Sequence, residues 1–136
     1  MVREIVHDPL LLGRKSLPAD AGDCAVADDL ADTLRANADR CVGMAANMIG
    51  VLKAIIVFDN GGRQMEMFNP EILSASDEFE AEEGCLSLSG TRRTRRFRKI
   101  KVRWQTRDMK PRVMTCTGWT AQIIQHEIDH CRGILI

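Results

Sequence analysis

Near the end of the chain, two histidines and a glutamate are spaced so that they could act on one metal ion. They lie in the segment His126-Glu127-Ile128-Asp129-His130. On an α-helix, side chains four positions apart share a face, so both imidazoles can bind one ion while Glu127 stands beside them. A simpler explanation is an amphipathic helix whose polar residues face water. The apolar Ile128 between the histidines, and the presence of only three histidines in the chain, favour a metal site.

Two imidazoles alone leave a catalytic metal site incomplete, because such sites usually have three protein ligands and one open position. Cys85, in the segment Glu83-Gly84-Cys85-Leu86-Ser87, is the best candidate for the third ligand. Gly84 would let the backbone come close to the ion. Taken by itself, a cysteine is more often a small buried residue. The five cysteines are odd in number and lack paired spacing, so we expect reduced thiols or metal ligands rather than disulfides.

Three segments together resemble the signature motifs of the peptide deformylase family, and they occur in the family's order. Gly43-Met44-Ala45-Ala46-Asn47-Met48-Ile49-Gly50 resembles the motif GΦAAxQxG, in which Φ is apolar. Residues 83–87 match EGCLS and residues 125–130 match QHExDH, both without change. Phe68-Asn69-Pro70-Glu71 resembles the family's NPE segment. Because the similarity spans nearly the whole chain, we interpret residues 1–136 as a single deformylase-like domain.

The resemblance implies a metal-dependent hydrolase that removes the N-formyl group from N-formylmethionyl peptides, a step of N-terminal methionine processing in protein biosynthesis. By this analogy Cys85, His126 and His130 would bind one divalent ion. Fe²⁺ would be the native ion, with Zn²⁺ or Ni²⁺ as substitutes, since a thiolate and two imidazoles suit all three. Glu127 would act as general base and acid, taking a proton from water and returning it to the departing amine.

The resemblance also implies where the substrate binds. The peptide would extend along a strand edge, where backbone groups and one arginine hold it: Val42, Gly43, Gly84, Leu86 and the side chain of Arg92. The methionine pocket would lie near a second set of residues: Ala81, Glu83, Trp119 and Ile123.

The first motif departs from the family pattern at a position that matters for catalysis. The family normally has a glutamine there that donates a hydrogen bond to the oxyanion, whereas this chain has Met48, whose thioether cannot donate. Losing one such donor typically costs about 10²–10³ in rate, although the Leu86 N–H and the metal would still stabilise the charge. Cys41, two residues before Gly43, also stands where the family usually has its first glycine. Two hypotheses remain: an enzyme that is slower or acts on a different formylated or acylated amine, or an impaired relative that binds metal and formylated peptide ends. The intact Glu127 favours the enzyme.

The elements that must position these residues follow from hydrophobic spacing and turn signals. In the first half of the chain we predict a helix containing Val26, Leu30 and Leu34 that runs to about Arg40, a loop or strand over Cys41–Gly50, and strands over Ala54–Phe58 and Met65–Phe68. Asn69-Pro70 is predicted to end the second of these strands. In the second half we predict a strand over Ile100–Trp104, a hairpin turn at Asp108–Pro111, a strand over Arg112–Thr117, and a final helix over Thr120–Cys131 that ends near Gly133. We therefore expect an α+β fold in which antiparallel strands pack around the helix that carries HExxH.

Charge and composition limit the kinds of partner that the protein can bind and the compartment in which we expect it. The 19 basic and 19 acidic residues balance, which argues against bulk attraction to nucleic acid. The basic stretch Arg92–Arg103 could contact ribosomal RNA near the peptide exit, or form a solvated hairpin paired with the acidic stretch Asp77–Glu83. The second explanation is favoured. No apolar run approaches the roughly 20 residues of a membrane span, and no secretory signal is visible. We expect a cytoplasmic protein that does not enter the membrane.

The expected partners are an N-formylated peptide or nascent chain and, transiently, the ribosome. The chain stops at Ile136, where most bacterial relatives continue into a further helix, and we expect this short end either to expose part of the late helix or to favour a homodimer.

Overall fold

A computed structural model describes residues 1–136. One sheet contains five strands, β1 (Gly43–Ala45), β2 (Ile55–Asn60), β3 (Arg63–Cys85), β4 (Leu88–Gln105) and β5 (Pro111–Thr117). Every strand pairs antiparallel with the next one along the chain, so β1 and β5 form the two edges. The helices are α1 (Pro9–Leu12), α2 (Cys24–Ala36) and α3 (Gly118–Cys131), with short 3-10 helices at Ala21–Asp23 and Ala46–Ile49. None of the helices has the length and apolar character needed to cross a membrane.

Strand β2 is buried on both faces, and this arrangement places one helix on each side of it. Because successive side chains of a strand point to opposite faces, Ile56 and Phe58 pack in the core that contains α3. Ile55 and Val57 pack in a second core together with Leu30 and Leu34 of α2 and the methionines Met44 and Met48. The run of apolar residues in β2 therefore reflects a strand covered on both faces.

Helix α3 packs against the antiparallel sheet, which confirms the predicted α+β fold. Ile124 and Ile128 pack against side chains of β2, β3 and β4. The amide of Gln125 accepts a hydrogen bond from the Phe97 N–H at 2.9 Å and donates one to the Phe97 carbonyl at 2.8 Å. This two-way contact ties the helix to β4. The chain turns away at Gly133, which has a φ of 74° that only glycine adopts without strain.

Three predicted boundaries were wrong. Strand β4 begins at Leu88 rather than at Ile100. Asn69-Pro70 does not end a strand, because β3 runs on to Cys85 through a bulge where the pairing shifts between Phe68 and Glu71. The bulge is held by the Asn69 side chain, which bonds the Ala19 backbone and the Gln105 amide. Helix α2 ends at Ala36 rather than near Arg40.

The end of α2 is set by a buried asparagine. The side-chain nitrogen of Asn37 donates to the Thr33 carbonyl at 2.8 Å, and the Asn37 backbone leaves the helical region. Asparagine side chains that bond nearby backbone groups compete in this way with continuation of a helix.

The segment predicted as a loop or strand over Cys41–Gly50 contains both kinds of structure. Gly43–Ala45 forms β1, Ala46–Ile49 forms a 3-10 turn, and Gly50 closes it with a φ of 85°.

The basic and acidic stretches face each other in the β3–β4 hairpin. Arg95 pairs with Glu78 and Arg98 with Asp77, and Arg103 pairs with Glu71, which precedes the acidic stretch; all these side chains are exposed. These exposed pairs agree with the favoured explanation of a solvated hairpin, but Arg96 and Glu83 of the same two stretches form a buried pair.

Candidate metal centre

Three side chains that could ligate a metal converge at one point between α3 and the end of β3. The Nε2 atoms of His126 and His130 lie 3.2 Å apart, and the Cys85 sulfur lies 3.2 Å from His130 Nε2. All three donor atoms lie within 4.8 Å of one another. The three residues predicted as metal ligands therefore form one compact cluster in the structure.

The cluster has the chemistry and spacing of a metal site. Metal–nitrogen distances of about 2.0–2.1 Å and a metal–sulfur distance of about 2.3 Å would place tetrahedral ligand atoms about 3.3–3.6 Å apart. The observed separations of 3.2 Å are close to this range. Both histidines turn Nε2 toward the sulfur, and a thiolate with two imidazoles is a donor set for a borderline-soft divalent ion. The residues present fit the ion.

A buried charge network holds His126 in this orientation. Its Nδ1 lies 2.9 Å from Oε1 of Glu83, which leaves Nε2 for the cluster. Glu83 also accepts from Arg96, with Nη2 at 2.7 Å and Nε at 3.0 Å, and from Gln122 at 2.9 Å. Arg96 reaches on to Asp129 at 2.7 Å. Since Glu83 lies two residues from Cys85, the network joins the strand that carries the thiol to the helix that carries the imidazoles.

The electrostatic environment shifts the pKa values of the two histidines in opposite directions. Burial lowers the pKa of His126, but hydrogen bonds with Cys85 and Glu83 outweigh it and raise the pKa to about 10 in the absence of a metal. Burial and the charge of His126 lower the pKa of His130 to about 3, so its imidazole is neutral, as a metal ligand must be. The same contacts bring the pKa of Glu83 down to about 2: burial opposes ionisation, and the bonds from His126 and Arg96 more than compensate.

Glu127 lies beside the cluster with one oxygen uncommitted. Its side chain is 3% exposed, and Oε1 has no hydrogen-bond partner within the chain. Burial raises its pKa to about 7. A Cβ on Gly43 would meet Glu127 Oε2 and Ile123 Cγ2 at 2.9 Å each, so only glycine fits between β1 and this carboxylate. A buried carboxyl that titrates near neutrality suits both uptake and return of a proton.

A groove of about 200 Å³ opens onto this carboxylate. One wall is the segment 40–43, which leads from a turn that ends at Arg40 into β1, and the other is the segment 82–86 at the end of β3. The floor is formed by Met48 and by five residues of α3: Trp119, Gln122, Ile123, His126 and Glu127. Of the predicted substrate residues, Val42, Gly43, Gly84 and Leu86 line the groove, as do Glu83, Trp119 and Ile123. Arg92 and Ala81 are half-buried residues outside its lining.

Met48 occupies the floor of the groove and is almost fully buried. Its neighbour Asn47 donates from Nδ2 to the His130 carbonyl at 2.9 Å, which ties the Met48 turn to the end of α3. Met48 is therefore next to the centre, as expected for the position that carries glutamine in the family motif.

Comparison with known proteins agrees with this geometry. The sequence model of the polypeptide deformylase family matches residues 4–136. The chain belongs to the peptide deformylase family. It is similar to the peptide deformylase of Clostridium beijerinckii, at 51% identity over the full length of both chains. It is also similar to the peptide deformylase of Syntrophomonas wolfei, at 40% identity over 92% of this chain and 84% of that protein.

Solved peptide deformylases share the fold. The class I type b enzyme of Acinetobacter baumannii with Met-Ala-Ser bound superposes with a TM-score of 0.89 at 27% identity, covering 99% of this chain and 97% of that one. The enzyme of Vibrio parahaemolyticus bacteriophage VP16T in complex with actinonin gives 0.88 at 31% identity, covering 98% and 99%. Peptide deformylases are metal-dependent hydrolases that remove formyl groups, and they use a single catalytic metal.

Three residues that organise this deformylase centre were not assigned that role from the sequence: Arg96, Gln122 and Asn47. Arg96 is one of many arginines in its strand, and Gln122 and Asn47 are ordinary polar residues of α3 and the first motif. The helical spacing of Gln122 and His126, four positions apart, was the one signal that could have placed Gln122 beside the ligands.

Proposed function

We propose that this chain hydrolyses the N-formyl group of N-formylmethionyl peptides through a centre formed by Cys85, His126 and His130 with Glu127. The observation that carries the proposal is the convergence of the three donor atoms beside a buried carboxylate with an uncommitted oxygen. A buried polar atom without a hydrogen-bond partner lowers stability, so folding alone gives no reason for this arrangement, whereas catalysis does.

The three ligand side chains would hold one divalent ion, with Fe²⁺ as the expected native ion and Zn²⁺ or Ni²⁺ as substitutes. The ion would supply Lewis acidity, which makes a water molecule acidic and polarises the formyl carbonyl. Glu83 would keep His126 oriented, and Arg96 would keep Glu83 ionised.

Glu127 would perform the proton transfers. Its free Oε1 would accept a proton as water adds to the formyl carbon, and the same carboxyl would return that proton to the nitrogen as the C–N bond breaks. The products are formate and a peptide with a free amino terminus. The close fit of Gly43 keeps the carboxylate facing the groove.

Met48 would make the reaction slower than in relatives that carry glutamine at this position. A thioether cannot donate a hydrogen bond to the developing oxyanion, so the backbone N–H of Leu86 would be the donor that this chain contributes. Leu86 lines the groove beside Cys85, which is consistent with this role.

The groove would hold the peptide in an extended form between its two walls. Strand β1 is an edge strand, so one side of it is free to pair with an added chain. Backbone groups of Val42, Gly43, Gly84 and Leu86 would make these contacts. The Acinetobacter baumannii relative was solved with Met-Ala-Ser bound, a peptide of the size that such a groove accepts.

Formate release from formyl-Met-Ala-Ser by the anaerobically metal-loaded protein tests the proposal. The wild type should release formate, and Glu127→Gln, which keeps the shape but cannot accept the proton, should lose nearly all of this activity. Met48→Gln restores a donor and should raise the rate at least about tenfold. Met48→Leu is the matched control, because it keeps the volume without adding a donor and should leave the rate unchanged.

Bound metal with no formate from any variant would reject hydrolysis. Such a result would favour the alternative in which the chain binds formylated peptide ends without turnover. Equal rates for Met48→Gln and Met48→Leu would reject the oxyanion explanation alone and leave the hydrolase assignment intact.

A cytoplasmic location, a single domain over residues 1–136, transient contact with the ribosome, a homodimer and a peptide contact by Arg92 stay predictions. The charge pairing in the β3–β4 hairpin reduces the free positive charge that ribosomal RNA would meet. A fall of ribosome binding with rising salt would support that contact.

A further inference from the structure

We propose that Arg40 makes this enzyme favour substrates with an acidic side chain at the third residue, counting the formylated methionine as the first. This inference rests on the proposed function and names a specificity determinant for it. Arg40 is an exposed residue at the open end of the groove wall formed by residues 40–43.

The direction of the bound peptide follows from the burial of β1. The formyl group must lie beside Gly43, since that residue contacts Glu127. Beyond Gly43 in one direction, Met44, Ala45 and Ala46 are fully buried and leave no exit. In the other direction Val42 is exposed and Cys41 is half-buried. The peptide must therefore leave the groove past Val42 and Cys41, toward Arg40.

The distance along the wall selects the substrate residue. An extended peptide advances about 3.3 Å per residue, and the wall runs from Gly43 over Val42 and Cys41 to Arg40, the last residue of the turn 37–40. A peptide whose formyl end is beside Gly43 therefore comes level with Arg40 about three residues later. The third residue is thus the first one whose side chain can meet the guanidinium.

Arg40 is held in place but has no acidic partner. Its Nε and Nη2 donate to Asn37 Oδ1 at 3.2 and 2.8 Å, and these are its only side-chain hydrogen bonds. Asn37 is itself buried and fixed by its bond to the Thr33 carbonyl. Because the oxygen of Asn37 is neutral, the positive charge of Arg40 is not compensated there. A pre-positioned guanidinium loses less conformational freedom when it binds a carboxylate.

The acidic residue on the opposite wall does not cancel this preference. Glu82 accepts a hydrogen bond from Thr91 Oγ1 at 2.7 Å and lies directly across the β3–β4 ladder from the exposed Arg93. Its charge is therefore partly compensated within the hairpin, and Arg40 remains the less compensated charge at the groove mouth.

Three peptides test the proposal: formyl-Met-Ala-Asp, formyl-Met-Ala-Asn and formyl-Met-Ala-Lys, all with a C-terminal amide. The amide removes the terminal carboxylate, so only the side chain differs. Partly exposed charge pairs contribute little, so we expect kcat/KM for the Asp peptide to exceed that for the Asn peptide about two- to fivefold, through KM. The Lys peptide should be the poorest substrate, and high salt should compress the differences.

Arg40→Gln should remove the preference, and Arg40→Glu should reverse it in favour of the Lys peptide. Arg35→Gln is the matched control, because Arg35 is an exposed arginine in the last turn of α2, five residues before Arg40, that pairs with Asp32 and lies outside the groove. It should keep the wild-type ranking. Equal rates for the Asp and Asn peptides in the wild type, or a preference that survives Arg40→Gln, would overturn the proposal.

Binding of the deformylated products separates this proposal from the proposed function. If no peptide yields formate, the hydrolase assignment fails, and calorimetry with Met-Ala-Asp and Met-Ala-Asn amides then decides on Arg40 alone. Tighter binding of the Asp peptide that is lost in Arg40→Gln would support the proposal, and equal binding would reject it.

Discussion

Replacement of Glu83 by glutamine would test whether one buried charge organises the metal centre. Glu83 is 8% exposed, and its carboxylate contacts His126, Arg96 and Gln122 at once. Glutamine keeps the length and shape of the side chain but removes the charge and replaces one acceptor oxygen by a donor. Arg96 would then keep only Asp129 as an acidic partner.

The expected loss of stability follows from the ionisation of Glu83. Burial works against its charge, but bonds from His126 and Arg96 take the pKa from 4.5 to about 2, a difference that corresponds to about 3 kcal/mol of stability at neutral pH. Removal of one partner from a buried ion pair costs a similar amount, about 3–5 kcal/mol. Since the folded-state pKa is depressed, this stability is complete above pH 4.5 and disappears as the pH falls toward 2.

Urea unfolding of the metal-free protein would measure this loss, with Glu82→Gln as the control. Glu82 is the neighbouring residue, but it is exposed and bonds only Thr91. At pH 7 we expect Glu83→Gln to be less stable than wild type by about 3 kcal/mol, with the gap closing on acidification. The loss of a carboxylate behind a ligating histidine should also weaken metal affinity about 10- to 100-fold.

A loss below about 0.5 kcal/mol, the range of ordinary surface substitutions, would refute this reasoning. Unchanged metal affinity together with that result would mean that His126 is positioned by packing alone.

Three further predictions concern the surroundings of the centre. Gly43→Ala would place a Cβ 2.9 Å from both Glu127 Oε2 and Ile123 Cγ2. We expect about 1–3 kcal/mol of destabilisation in urea unfolding and a loss of formate release. Wild-type values for both would contradict the close packing of Gly43 against Glu127. Asn47→Ala would remove the 2.9 Å bond to the His130 carbonyl, which would keep only backbone donors such as the Gly133 N–H, and should cost about 0.5–1.5 kcal/mol in the same unfolding assay. Metal binding at pH 8 should release at least one proton, because the pKa of His126 is raised to about 10 and a ligating imidazole must be neutral. Calorimetry in buffers of different ionisation enthalpy measures the number of protons released. A binding heat that does not depend on the buffer would show that His126 is already neutral.

The metal cluster could be predicted because its signals are local. The helical spacing fixes His126 and His130 relative to each other, and the match to EGCLS adds Cys85. Nothing local identifies Arg96 among its neighbouring arginines. Its burial depends on the register that sets β4 against β3 and on Asp129, which reaches it from α3. Contacts between three elements cannot be read from the spacing within one of them.

The failed strand boundary has a similar cause. Asn69 and Pro70 are strong turn formers, and their local preference is real, since Asn69 has a φ of 52°. The sheet absorbs it as a bulge because the Asn69 side chain finds partners in Ala19 and Gln105, which are distant in sequence. Tertiary hydrogen bonds therefore decide whether such a pair ends a strand or only bends it.

Glu127 provides a last test that separates an enzyme from a binding protein. Burial raises its pKa from 4.5 to about 7, so its charge opposes folding. With a raised carboxyl pKa the wild type loses stability as the pH rises from 4.5 to 7, by about 3 kcal/mol in total. Glu127→Gln removes this charge and should make the metal-free protein more stable than wild type at pH 8 while abolishing formate release.

A protein that only bound peptides would have no use for this unfavourable charge, whereas proton transfer requires it. Urea unfolding at pH 5 and pH 8 should therefore show little difference between the two proteins at the lower pH and a clear gain for Glu127→Gln at the higher. If the variant gains no stability at pH 8, the charge of Glu127 does not destabilise the fold. If it still releases formate at the wild-type rate, Glu127 is not needed for catalysis. Either result would contradict this reasoning.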